Sequence, residues 1–116
     1  MQELDLEKLK GEYCYCGCDL SSTNDLTSFA ACWPPNEMRE YLPDKYLIKV
    51  FVWVPQCALD GPNGNLYKTF IHRGLLKMTS GNSVDYQEIL NDILEFNQDY
   101  PIIKFHYDEW NATSFI

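Results

Sequence analysis

"YCYCGCDL", residues 13–20, sets three of the chain's five cysteines at alternate positions and carries an aspartate next to its end. In an extended chain alternate side chains point to opposite faces, so Cys14, Cys16, Cys18 and Leu20 share one face while Tyr13, Tyr15, Gly17 and Asp19 share the other. Same-face neighbours on a straight strand stand about 6.5 Å apart. Two thiolates on one tetrahedral zinc must lie within about 4 Å of each other, so this spacing argues against a chelate. Cysteine is common in cores as a small apolar side chain. The stretch therefore reads as a strand whose cysteine face is core and whose end delivers Asp19.

Working outward, "SSTNDL" is a cluster of turn-forming residues, and "LTSFAACW" at 26–33 reads as a second strand. "PPNEMREYLPD" is an exposed connection to "YLIKVFVWV" at 46–54, rich in β-branched and aromatic residues and the strongest strand signal in the chain. Three successive strands with short links suggest an antiparallel meander. "DGPNGN" is loop, residues 66–72 form a short helix ended by Gly74, and "LLKMTSG" gives a short edge strand and turn. Asp85 and Glu88 have capping-box spacing. Ile89, Ile93 and Phe96, with Leu90 and Leu94 beside them, make a helical stripe, so 85–98 is a helix packed on a sheet. Pro101 opens a strand, "PIIKFHYD", that also ends in an aspartate, Asp108.

With 116 residues, 46% of them hydrophobic, the chain is expected to form one domain, residues 1–116, with one core. No apolar run approaches bilayer length, and "MQELDLEKLKGEY" lacks the apolar centre of a signal peptide, so a soluble, intracellular protein is expected. There thiols stay reduced, and the odd cysteine count also fits free thiols. A net charge of -8 is unfavourable for phosphate binding by side chains alone. Divalent cations held by carboxylates would reverse the local sign.

If the 85–98 helix is a crossover, the final strand lies parallel to and beside 13–20. Adjacent strands are about 4.8 Å apart, so Asp19 and Asp108 at matching C-terminal ends would converge. Two such carboxylates suit Mg²⁺ or Mn²⁺, and a pair of ions about 4 Å apart is the two-metal arrangement of nucleases. Aspartates also end strands simply because they favour turns. His106 shares a strand face with Asp108; His72 belongs to no metal motif.

Four blocks, "GCDLSSTNDLTSFA" (17–30), "LIKVFVWVPQ" (47–56), "GLLKMTSGNSVDYQEI" (74–89) and "YDEWNAT" (107–113), together resemble the C-terminal nuclease domain of the large terminase subunit of tailed bacteriophages. The resemblance implies an α/β, RNase H-like mixed sheet made of an antiparallel meander, a crossover helix and a parallel strand, incomplete at its C-terminus. It implies an endonuclease that uses Mg²⁺ or Mn²⁺ to cut concatemeric double-stranded viral DNA, acting in the host bacterial cytoplasm and transiently at the procapsid, with portal protein and small terminase subunit as partners. By the family pattern Asp19 and Asp108 are the catalytic, metal-binding acids and Asp25 an accessory metal ligand. The family uses a further acid from a more C-terminal element, so residues 1–116 alone are expected to cut poorly. No G-x-x-x-x-G-K-[ST] phosphate loop is present. The rival readings are an inactive prophage fragment serving as an interaction module, and a cysteine-based metal or redox protein.

Overall fold

The alternation at residues 13–20 becomes the strand β1 (Cys14–Asp19), in which Cys14, Cys16 and Cys18 are buried and Tyr15 and Asp19 exposed. In the computed structural model the described residues are 3–19, 26–80 and 86–107. β1 runs antiparallel to β2 (Thr27–Trp33), with Tyr15 opposite Cys32 and Asp19 opposite Ser28. β2 runs antiparallel to β3 (Leu47–Pro55), which completes the expected meander.

From β3 a 3-10 turn (Gln56–Asp60) and the helix α1 (Gly64–His72) lead to a short edge strand, β4 (Lys77–Thr79), paired parallel to β3. The helix starts inside the stretch read as loop. Its first residue packs against the preceding turn so closely that a Cβ there would collide with the Leu59 carbonyl, which only glycine avoids. The helix α2 (Tyr86–Asp99) then crosses to β5 (Ile102–Tyr107), parallel to β1, and the sheet order is β4-β3-β2-β1-β5. Four of these strands run one way and β2 alone opposes them.

α2 lies on the cysteine face. Ile89 and Ile93 are buried there with Cys14, Cys16, Phe29, Ala31 and Trp33, each aliphatic contributing about 2 kcal/mol by leaving water. Phe96 extends the stripe, its ring 5.5 Å from Phe29, 5.4 Å from Phe51 and 4.8 Å from Tyr100. The stripe is narrower than the sequence suggests, because Leu94 is 53% exposed. On the other face α1 covers only the β3–β4 side, through Val54, Ala58, Tyr67 and Leu76.

Candidate active site

Asp19 is the last residue of β1. It is exposed, on the face opposite the cysteines, and makes no hydrogen bond or ion pair with another described residue. Its neighbour Cys18 points the other way, and its thiol is pushed up to about 12 by burial and then by the Asp19 charge. One step along the chain thus separates a buried neutral group from an exposed anion.

The pairing of β1 with β5 decides what stands beside Asp19. Cys14 is level with Ile102, but Tyr15 is level with Lys104, so Ile103 is an extra residue and bulges outward, half exposed. The bulge advances β5 by one position. Cys16 then meets Phe105, Gly17 meets His106 and Cys18 meets Tyr107. Phe105 and Tyr107 consequently face the core, and Lys104 and His106 take the exposed face that carries Asp19. Without the extra residue Cys18 would be level with His106. With it, Asp19 and Asp108 each directly follow, in the chain, one member of the same register pair.

Asp108 and Asp25 lie outside the described residues. His106 is exposed, and His72 sits at the end of α1, on an element remote from β1 in the sheet order. Among the described residues no group of three or more His, Cys, Asp or Glu is gathered to hold a metal. Two groups on the same side of the sheet as Asp19 escaped the sequence reading. Thr27, which begins β2 beside Ser28, and Thr79, which ends β4, are fully buried with unpartnered hydroxyls. Nothing in a linear pattern marks a threonine as unpartnered, since that depends on which chain segments close over it.

The cysteines correct one expectation. Cys14 Sγ lies 3.6 Å from Cys16 Sγ, inside the distance that strand spacing had argued against, because rotamers tilt the two sulfurs together. Their chemistry is that of thiols. Cys14 Sγ also lies 3.6 Å from the Tyr100 carbonyl and 3.7 Å from that of Pro101 as a donor. The Cys16 thiol is pushed up by its hydrogen bond with Cys14, by burial and by the charges of Cys14 and Cys32. Metal ligation requires thiolates, which this environment opposes.

Comparison with known proteins follows the same lines. Residues 2–116 match the family model described as "Terminase large subunit, endonuclease domain". The chain is 30% identical over 105 residues to "Terminase, large subunit" of Enterobacteria phage HK97, a match covering 87% of this chain and 19% of that protein. It is also similar to the crystal structure of the HK97 bacteriophage large terminase, with a TM-score of 0.70 and 30% identity, over 89% of this chain and 21% of that one. The chain spans about a fifth of the length of each relative. The structural likeness bears out the RNase H-like mixed sheet of meander, crossover helix and parallel strand.

Proposed function

The chain belongs to the family of terminase large-subunit endonuclease domains, and from that premise we propose that it is a metal-dependent endodeoxyribonuclease domain cleaving concatemeric viral DNA during packaging. The observation that carries this reading is the bulged parallel register of β1 with β5, which makes Cys18 and Tyr107 a pair immediately before Asp19 and Asp108. Carboxyl ends of strands running side by side in one direction are where open α/β sheets hold ligands.

Asp19 fits a hard divalent cation. Its carboxylate is exposed, anionic and unclaimed by any described cation, and oxygen donors of this kind suit Mg²⁺ or Mn²⁺. Asp19 and Asp108 would hold the metal, with Asp25 as an accessory ligand. Such an ion, when bound, supplies charge stabilisation at a scissile phosphate. The chain's own contribution is positional. β1, fixed between β2 and β5 and anchored by its cysteine face, holds Asp19 at a constant height at the sheet's end. Lys104 and His106, on the same exposed face, add the positive charge that an otherwise acidic chain needs near phosphate.

Double-stranded viral DNA is the proposed substrate, with portal protein and small terminase subunit as partners in the host cytoplasm and at the procapsid. The test pairs Mn²⁺ calorimetry with nicking of supercoiled plasmid. Loss of a metal ligand removes several kcal/mol of charge stabilisation, so Asp19→Asn and Asp108→Asn should each lower nicking at least about a hundredfold and abolish the binding isotherm. Nicking and Mn²⁺ affinity equal to wild type in both variants would overturn the assignment.

A further inference from the structure

α2 covers β1, β2 and β5 but stops short of β3 and β4, and a groove of about 840 Å³ remains between them on that face. Its floor is Phe29, Phe51 and Trp53, and Phe96 and Ile93 of α2 form the apolar part of one wall. The other wall is the segment that leads into β4, where Leu75 is 56% exposed. An opening this apolar on a net acidic chain is a contact surface rather than ordinary solvent-facing surface.

The rims carry opposite charge. Along α2, Asp92, Glu95 and Asp99 line the groove at intervals of three and four residues, so they share one helix edge. Asp92 is spoken for: its carboxylate accepts from the Trp53 indole N–H at 2.8 Å and from Lys77 Nζ at 2.8 Å, which bridges the groove at that end. Glu95 and Asp99 are exposed and make no ion pair with a described residue, and on the opposite rim Arg73 makes none either. Between Asp92 and Asp99 the groove runs about 10 Å, the rise of two helical turns.

We propose that this groove seats an amphipathic helix of a partner protein, about two turns of it in contact, with an apolar stripe on the Phe51–Trp53 floor and Lys or Arg along the flank facing Glu95 and Asp99. The mode is that of a helix in a groove, in which apolar anchors supply affinity and rim charges set orientation. Asp19 lies on the opposite face of the sheet, at the end of β1, so this surface stands independently of the nuclease reading.

Two synthetic helical peptides with the same leucine stripe, one with Lys along its flank and one with Glu, provide the test by amide and indole NMR. The Lys-flanked peptide should bind at least about tenfold more tightly and shift the Trp53 indole N–H and the amides of 49–53, 75–77 and 92–99. Leu75→Glu, at an exposed position that leaves the fold intact, should weaken it by a similar factor, and the pair Glu95→Lys and Asp99→Lys should reverse the preference between peptides. Shifts elsewhere, binding of neither peptide, or an unchanged preference in the charge-reversed variant would overturn the proposal. So would self-association on concentration that moves the same signals without peptide, which would make a second copy the occupant.

Discussion

Cys18 and Asp19 are adjacent in the chain and opposite in environment, and both consequences are measurable. The Cys18 thiol rises from an ordinary 9.0 to about 12, mainly through burial. Below the ordinary value both folded and unfolded chains hold the proton. Above it the unfolded chain ionises while the native one does not, so stability is lost as pH rises from about 9 toward about 12. The urea midpoint should therefore fall across that window, and Cys18→Val should flatten the decline; an equal slope in wild type and variant would show that Cys18 contributes nothing to it. Which way each of these side chains points was legible in the sequence, because a period of two needs no tertiary information. The sulfur contact between Cys14 and Cys16 was not, since strand geometry fixes Cβ spacing and leaves the rotamers to the packing of Tyr100 and Pro101.

The segment between β2 and β3 shows what pattern reading misses among elements. It looks like an exposed connection, yet Arg39 within it is buried and its guanidinium donates to Glu12 Oε1 at 2.7 Å and to the carbonyls of Tyr41 at 2.7 Å, Leu42 at 3.0 Å and Lys45 at 3.1 Å. One planar fork thus closes the loop on itself and ties it to the residue that precedes β1. Arg39→Met leaves Glu12 and several carbonyls unpartnered and should cost about 3 kcal/mol in chemical denaturation. Arg39→Lys keeps the charge but cannot reproduce the fork, so it should recover less than half of that loss; full recovery would reduce Arg39 to a simple charge. The strands were legible from composition and alternation, and α2 from its stripe. The parallel attachment of β4 was not, because it depends on α1 packing under Val54 and Leu76. The bulge at Ile103 was equally hidden: "PIIKFHYD" alternates acceptably in either register, and only the burial of Phe105 and Tyr107 selects the one observed.

Across the whole molecule, an acidic chain with a charge of -8 has to meet the most acidic of polymers. The account resolves this by localising divalent cations where β1 and β5 end, a local reversal of field that the net charge conceals. The fold supports it through a division of labour. α2 and the cysteine face make the rigid support, the exposed face of β1 and β5 presents Asp19 with Lys104 and His106, and the β3–β4 side carries the groove. Paramagnetic broadening by Mn²⁺ in amide NMR tests this most directly. The account predicts that substoichiometric Mn²⁺ broadens residues 17–19 of β1 and 105–107 of β5 together, before any other acidic segment, and that Asp19→Asn removes the broadening on both strands at once. Broadening that begins at α2 or the N-terminal acids, or that survives on β5 in Asp19→Asn, would contradict it.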